Sequence, residues 1–235
     1  MLEYLRNKRI MVVVAHPDDE ILGVGGTINL LVKLGASVKV LILGEGLTSR
    51  SETRNLKQYS QELKTHKKDI LAAKKCLGYQ KLSTFGLPDN RFDTVPLLDI
   101  IKIIEKENQI FRPEVIFTHH MGDINIDHQK TFDAVLTAVR PLKEESVRTL
   151  ISFETLSGTE WISSGDPRKF SPNLFISLNK NELQQKVAAM SCYRFEKRSF
   201  PHPRSEESII NRAQMWGISV GKEYVESFQI IRTIH

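Results

Sequence analysis

Three nearly continuous apolar runs constrain the fold of this chain more than any other feature. They are RIMVVVA at 9–15, SVKVLIL at 37–43 and EVIFTHH at 114–120. Runs of this kind are typical of strands that are buried on both faces, as in parallel sheets. Between the first two, ILGVGGTINLLVKLG has helical spacing and stops at Gly35, a residue suited to ending a helix. This part of the chain is therefore predicted to form a strand, a helix and a parallel strand.

Strand and helix patterns go on alternating through the rest of the chain. Helical spacing covers 53–78 and ends at Gly78, and LFISL at 174–178 is predicted to be an edge strand. The other segments with strand or helix character are LSTF, PLLDIIKIIEKENQ, QKTFDAVLTAVR, TLISFE, KNELQQKVAAMSCY and SEESIINRAQMWGIS. The alternation predicts an α/β fold, a Rossmann-like single domain over residues 1–235, with a mostly parallel sheet and helices on both faces. Ligands of such sheets bind beyond the carboxyl ends of the strands.

The glycines of GVGG, at 23–26, lie inside the first long helical segment rather than in the turn before it. They do not form the GxGxxG pattern whose backbone approaches a pyrophosphate, so dinucleotide binding is a poor interpretation. Small residues at these positions instead predict close packing of the helix against the sheet.

The charge distribution argues against a nucleic-acid-binding protein. The chain carries 33 basic and 28 acidic residues, a net charge of +5, and its densest basic stretch is KTHKK at 64–68. That stretch lies in a predicted helix and lacks the interleaved aromatic residues that bind single strands, so a solvated helix face explains it. We expect no nucleic-acid partner.

No segment has the pattern of a membrane span or a signal peptide. The apolar stretches fall short of the ~20 residues that cross a bilayer, and MLEYLRNKRI at 1–10 has scattered charges and no apolar core. Cys76 and Cys192 form no CxxC motif, which favours reduced and buried thiols. We therefore expect a cytoplasmic protein, and a homo-oligomer is compatible with these features.

Four polar side chains follow the first strand in the motif AHPDDE. Its acids, Asp18, Asp19 and Glu20, have an ordinary explanation, because acids in the first turn of a helix interact well with the helix dipole. His16 gains nothing from the positive end of a helix. His16 and Asp19 are three residues apart, so their side chains can converge, and imidazole and carboxylate are suitable zinc ligands.

Residues 118–129, THHMGDINIDHQ, hold three histidines and two aspartates after a predicted strand. A polar loop is one explanation of this segment. Alternatively, one of its histidines completes a His-Asp-His set, and three protein ligands with an open position are the pattern of a catalytic zinc site. Zinc lowers the pKa of its bound water and polarises a carbonyl, and a carboxylate outside the ligand set, such as Asp18, can take the proton. These residues predict metal-assisted hydrolysis at a carbonyl, without identifying the substrate.

The motifs resemble the zinc-dependent N-acetyl-sugar deacetylases of the PIG-L/LmbE type. The resemblance rests on AHPDDE, on the Asp127-His128 pair and on GLPDNRFD at 86–93, and it extends over most of the chain. It implies a Rossmann-like fold, a bound zinc ion and Asp18 as the general base for zinc-bound water. Ligand type alone does not distinguish zinc from ferrous iron. The metal ligands that the resemblance implies are His16, Asp19 and His128.

One position departs from the family pattern. Many members have HPDH, whose first histidine stabilises the oxyanion or protonates the leaving amine, where this chain has NIDH. Asn125 can donate a hydrogen bond to an oxyanion but cannot supply a proton. Asp127 is a candidate for orienting a ligand histidine. Either His119 or His120 is a candidate for the acid if the loop folds back.

Three candidate substrate-binding residues lie after the second and third strands. Arg54 follows the loop GEGLTSR, where the resemblance implies a sugar-contacting arginine, although an exposed helix residue is an equal alternative. Asp89 and Arg91 lie in GLPDNRFD, where PDN favours a turn whether or not these side chains bind substrate.

The segment FPHPRS at 200–205 supplies two more candidates, His202 and Arg204. A rigid loop with a cation can receive a phosphate or a nucleotide diphosphate. The alternative is a plain connection into the last helix, for which Ser205 is a good N-cap.

The function that we expect is removal of the N-acetyl group from a small-molecule sugar conjugate, an N-acetylglucosamine derivative whose aglycone the sequence does not identify. One alternative is a non-catalytic carbohydrate-binding relic of the fold. The retained ligands and Asp18 argue against it, because binding alone requires no base. The other alternative is a metal-dependent amidase or esterase that acts on a different acyl substrate.

Overall fold

The computed structural model describes residues 1–234 and contains a mixed β-sheet flanked by helices. The strands are β1 (Arg9–Val14), β2 (Ser37–Gly44), β3 (Lys81–Leu87), β4 (Val115–His119), β5 (Thr149–Phe153), β6 (Leu174–Leu178) and β7 (Tyr224–Thr233). The helices are α1 (Leu2–Leu5), α2 (Asp19–Lys33), α3 (Ser60–Leu77), α4 (Leu97–Phe111), α5 (Ile126–Ala138), α6 (Lys180–Cys192) and α7 (Glu206–Ser219). Within these residues no helix combines the length and the apolar character that a membrane span needs.

The strand order is β3-β2-β1-β4-β5-β7-β6, and each neighbouring pair from β3 to β5 is parallel. Strand β7 runs antiparallel to both of its neighbours. The chain builds outward from β1 to β3 on one side and then restarts beside β1 with β4. Such a switch point leaves a crevice at the carboxyl ends of β1 and β4, where ligands bind in sheets of this kind. The predicted Rossmann-like, mostly parallel α/β fold is confirmed.

Two apolar layers hold the helices against the sheet, one on each face. Alternate residues of β1 show the division. Val12 and Val14 pack in the layer under α2, α3, α6 and α7, whereas Met11 and Val13 pack in the layer under α4 and α5. Burial on both faces explains why the strand is apolar throughout, and it confirms the prediction of helices on both faces.

Helix α3 begins at Ser60, later than the sequence pattern predicts. The residues before it form turns, in which Asn55 Oδ1 accepts the N–H of Gln58 at 3.1 Å. A side chain that bonds the backbone in this way competes with the helix. The prediction of helix over 53–59 is therefore wrong, while the predicted end of the helix at Gly78 is confirmed by a φ of 81° there.

The sequence pattern does not predict strand β7, because Glu226 and other polar residues interrupt its apolar spacing. In the structure the Glu226 side chain is buried and well partnered. Its carboxylate accepts the N–H groups of Gly26 at 3.0 Å and Thr27 at 2.7 Å, and the Lys186 ammonium donates to it at 2.6 Å. These partners offset the cost of burying a charge. Strand β7 lies between β5 and β6, which leaves β6 at the edge as predicted.

The glycines of α2 allow the helix to approach the sheet closely, as predicted. A Cβ on Gly23 would lie 2.2 Å from a ring carbon of Phe153, and one on Gly26 would lie 2.3 Å from a methyl carbon of Leu178. A Cβ on Gly25 would meet nothing nearer than 3.3 Å, where the flexible Lys186 side chain passes. Two of the three glycines are therefore required by packing.

Alanine variants should separate the packing role of these glycines from helix propensity. Alanine is favoured over glycine inside a helix by about 0.5–1 kcal/mol, so Gly25→Ala should keep or raise the stability. Gly23→Ala gains the same propensity but drives a methyl group into Phe153, and overpacking of this kind costs roughly 1–3 kcal/mol. Thermal unfolding should show a lower midpoint for Gly23→Ala alone. Equal midpoints for the two variants would contradict the close approach.

Candidate active site

The polar residues that follow β1 and β4 meet at the switch point of the sheet. The motif AHPDDE runs from the end of β1 into the first turn of α2. Asp127 and His128 lie in the first turn of α5 rather than in the preceding loop, because Asn125 caps that helix. Since β1 and β4 are hydrogen-bonded neighbours, the two motifs share one crevice.

His16 is held by hydrogen bonds at its backbone and at one ring nitrogen. Its N–H donates to Asp19 Oδ2 at 2.7 Å, and its Nε2 lies 2.8 Å from Asp127 Oδ2. The Asp127 carboxylate also accepts the N–H groups of Asn90 at 2.6 Å and Phe92 at 2.8 Å. Because this carboxylate can only accept, Nε2 carries the proton. The remaining nitrogen, Nδ1, lies 3.5 Å from Asp19 Oδ2 and offers a lone pair there when the ring is neutral.

His128 faces two carboxylates from the other side. Its Nδ1 lies 3.1 Å from Asp123 Oδ2, and its Nε2 lies 3.4 Å from Asp19 Oδ2. His16, Asp19 and His128 each offer one ligand atom, and these atoms all lie within 4.8 Å of one another. The hydrogen bond between His16 Nε2 and Asp127 fixes the tautomer of His16, a support that zinc-binding histidines commonly have. The group fits the donor set of a divalent zinc ion.

Buried carboxylates around the two histidines stabilise positive charge at this point. Burial alone lowers the pKa of His128, but Asp19 and Asp123 raise it to about 9. Asp127 and Asp19 likewise outweigh burial and raise the pKa of His16 well above its ordinary value. Burial raises the pKa of Asp19, but its histidine neighbours outweigh this and hold it well below the usual range. A cluster that favours positive charge so strongly is suited to a cation.

His16, Asp89 and Asp127 form a second group whose potential ligand atoms lie within 4.8 Å of one another. The Asp127 carboxylate already accepts two backbone N–H groups. Asp89 Oδ2 accepts the N–H of Ser49 at 3.1 Å and its hydroxyl at 2.7 Å. Because of these bonds, the carboxylates of the second group have fewer free lone pairs for a metal ion than the first group has. His16, Asp19 and His128 are therefore the better candidate ligands.

Asp18 occupies the N-cap position of α2 but makes no capping bond with its side chain. Its φ of 102° is unusual for a residue other than glycine. The carboxylate meets Arg204 instead, whose Nη1 donates to Oδ2 at 3.1 Å. Burial raises the pKa of Asp18 well above its usual range, and Arg204 offsets this only in part. The ordinary role of a helix-starting acid does not account for these features.

A solvent-open cavity of about 190 Å³ adjoins this group. Much of its lining is polar, which suits a ligand rich in hydroxyl groups. Most of the residues that the sequence singles out reach this cavity: His16, Asp18, Asp19, Asp89, Asn125, His128, His202 and Arg204.

Three of the predicted site residues do not line this cavity. Asp127 is fully buried behind His16. Arg91 lines an adjoining groove, where it donates to the carbonyl of Glu52 at 3.1 Å. Arg54 lines a different cavity. The structure therefore separates these side chains from the others at the sheet edge.

The Asn125 side chain, which the sequence suggests as an oxyanion donor, lines the cavity and caps α5. Its Oδ1 accepts the N–H of Asp127 at 2.9 Å, and its Nδ2 donates to Asn90 Oδ1 at 2.9 Å. An amide nitrogen has two N–H groups, so Nδ2 can donate its second one to a ligand while the bond to Asn90 is kept.

His119 and His120, the alternative acids, both point into the protein. The N–H of Ala15 donates to His119 Nε2 at 2.9 Å, and His119 Nδ1 lies 3.0 Å from Thr155 Oγ1. Burial lowers the pKa of His119 to about 4, so this side chain is neutral. His120 Nε2 donates to the carbonyl of Arg168 at 2.6 Å. These bonds tie the end of β4 to its surroundings.

Several side chains at the cavity are not singled out by the sequence. Glu196 is buried and receives Arg204 Nη1 and Arg50 Nη2 at 2.5 Å each. It lies in the loop after α6, where no strand end marks a site. Ser157 accepts Arg204 Nε at 2.8 Å and follows β5, so its place beyond a predicted strand is a signal that could have identified it.

Comparison with known proteins identifies the family. A family model described as PIG-L, GlcNAc-PI de-N-acetylase, matches residues 11–139. The match covers more than half of the chain and includes His16, Asp19 and His128. The chain therefore belongs to the PIG-L family, and the resemblance that its motifs indicate is confirmed.

Individual relatives extend this result over most of the chain. An uncharacterized deacetylase of Escherichia coli K12, YaiS, is 26% identical over 196 residues, which are 80% of this chain and 92% of the relative. The N,N'-diacetylchitobiose deacetylase of Pyrococcus horikoshii superposes with a TM-score of 0.76 at 19% identity, over 98% of this chain and 88% of that chain.

A solved structure with another activity shares the same fold. It is GalB, a 4-carboxy-2-hydroxymuconate hydratase of Pseudomonas putida KT2440, with a TM-score of 0.73 and 18% identity over 97% of this chain and 98% of that chain. One fold thus hosts both a deacetylase and a hydratase, so the reaction of this chain has to be inferred from its site.

A second cavity, of about 310 Å³, shares Pro17 with the first. Arg54 lies at its rim, and its Nε and Nη2 donate to the two Glu45 carboxylate oxygens at 2.9 Å each. His66 of α3 also lines it and is buried, and neither of its ring nitrogens has a hydrogen-bond partner within residues 1–234. Burial lowers the pKa of His66 to about 4; Arg50 adds to this effect, and Asp69 and Asp89 oppose it.

His66 should make the protein less stable in mild acid. An unfolded histidine ionises near pH ~6.5, whereas folded His66 stays neutral until about pH 4. The unfolded chain therefore binds the extra proton in this window, and stability is lost as the pH falls from 6.5 toward 4, by about 2 kcal/mol at pH 5. His66→Phe should lose about 2 kcal/mol less than the wild-type protein between neutral pH and pH 5, as urea unfolding would measure, while His119, whose pKa is also lowered to about 4, contributes equally to both proteins. Equal losses in both proteins would show that His66 ionises normally.

Proposed function

We propose that this protein is a metal-dependent N-deacetylase that hydrolyses the acetamide of an N-acetylated sugar, with N-acetylglucosamine derivatives as the substrate class. The observation that carries the proposal is the convergence of His16, Asp19 and His128 beside a polar cavity. Membership of the PIG-L family supports the reaction type. The named activity of the Pyrococcus horikoshii neighbour supports the class of substrate.

The proposed ligand set is suited to zinc. It consists of His16 Nδ1, one Asp19 oxygen and His128 Nε2, and three protein ligands leave a position open for substrate or water. Ferrous iron accepts the same donors, so metal analysis has to identify the ion. A divalent ion bound there would polarise the acetyl carbonyl and make water more acidic.

Asp18 is the proposed general base. It lines the cavity without belonging to the ligand set, and Arg204 fixes one of its oxygens. Asp18 takes a proton from the water whose oxygen bonds to the acetyl carbon. When the carbon–nitrogen bond breaks, the same proton passes to the departing nitrogen, which leaves acetic acid and the free amine. The raised pKa of Asp18 suits a group that holds the proton between these steps.

The polar lining of the cavity supports a polar substrate. The predicted substrate-binding residues fall into two sets, those that line this cavity and those that lie outside it. Asp89 and His202 line the cavity and are proposed to contact the sugar. Arg204 bonds Asp18 and Glu196, which favours positioning of the base over capture of a phosphate. Arg91 and Arg54 lie in the neighbouring groove and cavity, so we expect them to meet only parts of the substrate beyond the sugar.

Two substitutions should separate the base from a ligand. Asp18→Asn removes the basic oxygen and nearly keeps the shape, so it should lower kcat by about 10²–10⁴-fold while the metal content is unchanged. Asp19→Ala deletes a ligand and should lose the metal. Metal stoichiometry and release of free amine from N-acetylglucosamine conjugates would be measured side by side.

These measurements have outcomes that contradict each part of the proposal. Full activity of Asp18→Asn, or metal loss equal to that of Asp19→Ala, would remove Asp18 as the base. Wild-type protein that releases acetate faster from acetyl esters than from N-acetyl sugars would replace the proposal with an esterase. Wild-type protein that binds metal and sugar without turnover would indicate a binding relic.

Asp127 should act on metal affinity through His16. Asp127→Asn puts an amide where the carboxylate meets Nε2, which disturbs the tautomer that leaves Nδ1 free. Changes of this kind typically weaken metal affinity by about 10–100-fold. Asp133→Asn is the matched control, because Asp133 lies on the same helix and is exposed. Competition with a chelator would measure both affinities, and similar values for the two variants would contradict this role.

A further inference from the structure

We propose that the second cavity, which Arg54, Glu45 and His66 line, is a binding site for the apolar part of a neutral amphipathic small molecule. In this site His66 hydrogen-bonds the ligand's polar atom. The cavity lies between the ends of β2 and β3 and helix α3, outside the site of the proposed hydrolysis.

The walls of the second cavity are largely apolar. They include Ile42, Leu56, Leu63, Ile70 and Phe85. Its volume of about 310 Å³ lies at the lower end of the range of ~300–1,000 Å³ that is usual for small-molecule sites. Leu56 is 45% exposed at this surface, so a ligand here would also cover apolar surface that now faces water.

His66 supplies a buried polar side chain at the second cavity. The side chain is 2% exposed, and both ring nitrogens lack partners among residues 1–234. Leaving a buried polar group unbonded costs about 1–3 kcal/mol. A ligand with one hydroxyl or amide group would recover part of this cost, because a neutral imidazole can donate at one nitrogen and accept at the other.

The charges at the rim favour an uncharged ligand. Arg54 and Glu45 pair with each other through two hydrogen bonds of 2.9 Å. Lys67 also lines the rim, but its side chain is exposed to solvent. A charged ligand group deep in the cavity would therefore find no unpaired opposite charge. The free-energy cost of removing that group from water would not be offset.

Pro17 and Gly46 separate the second cavity from the active-site cavity by a thin wall. A Cβ on Gly46 would lie 2.7 Å from Pro17 Cδ and 3.4 Å from His66 Nε2. The apolar group can therefore come from the aglycone of the substrate or from a separate molecule. The first source rests on the proposed function, whereas the binding site itself does not.

Binding of two small probes to the whole protein tests the site. p-Cresol and p-xylene have similar shapes, but only p-cresol carries a hydroxyl. Both should bind the wild-type protein, as followed by NMR titration. Leu63→Trp fills the cavity and should weaken both by at least about tenfold, whereas Leu71→Trp, on the exposed side of the same helix, should weaken neither. His66→Phe should weaken p-cresol alone, by about threefold to tenfold, the value of one hydrogen bond.

Several results would overturn this inference. They are no binding to the wild-type protein, wild-type affinity in Leu63→Trp, or equal weakening of both probes in His66→Phe. Circular dichroism would establish that the variants fold. Leu56→Trp fills the same cavity from a partly exposed loop and replaces Leu63→Trp if that variant fails to fold.

Kinetics distinguish the two sources of the ligand. If the aglycone occupies the cavity, hexyl N-acetylglucosaminide should have a lower KM than the methyl analogue, and Leu63→Trp should abolish the difference. If a separate molecule binds, the two KM values should agree, and p-cresol should bind equally well with either sugar present. Probe binding without deacetylation of either sugar would defeat the proposed function and leave the binding site intact.

Discussion

The carboxylate of Asp19 joins the two strand ends from which the candidate active site is built. Its Oδ2 accepts the N–H of His16 at 2.7 Å and lies 3.4 Å from Nε2 of His128. His16 follows β1 and His128 begins the helix after β4, so one oxygen connects the segments that follow two neighbouring strands, at the point where the strand order reverses. A buried carboxylate requires such partners. The same residue therefore serves the local fold and the proposed metal centre.

This arrangement depends on a fixed position of α2, because Asp18 and Asp19 begin that helix. On one side Gly23 lets the helix approach Phe153 of β5. On another side Glu226 of β7 bonds the helix backbone at Gly26. A precise site requires rigid elements that are held in place by their own packing. Here α2 is held by β5 and β7, which lie far along the chain.

Sequence patterns predicted the parts of this protein that depend on local periodicity. The apolar runs of β1, β2 and β4 and the polar residues directly after β1 are visible without tertiary information, because burial on two faces and a strand end each leave a local pattern. The candidate ligands His16 and Asp19 were predicted in this way, because they directly follow β1.

Other features depend on contacts between distant residues, which a single sequence does not show. From the sequence alone, Glu226 would be interpreted as a solvent-exposed charge. In the structure it is bonded by Lys186 and by the backbone of α2. No sequence motif surrounds Glu196. Its contribution to the site is seen only in the structure, where it accepts hydrogen bonds from Arg204 and Arg50. Arg54 has a suitable position in the sequence, but its ion pair with Glu45 places it at another cavity.

The place of β7 between β5 and β6 has a consequence for the order in which this chain acquires its parts during synthesis. The proposed ligands all lie within the first 128 of the 235 residues, in the segments that directly follow the neighbouring strands β1 and β4. Arg204, which bonds Asp18, and Glu226, which bonds α2, leave the ribosome much later. A nascent chain that ends after α5 therefore contains all three proposed ligands but neither the arginine that bonds Asp18 nor the glutamate that bonds α2. The proposed ligand set is complete on the chain before the residues that position Asp18 and α2 are made.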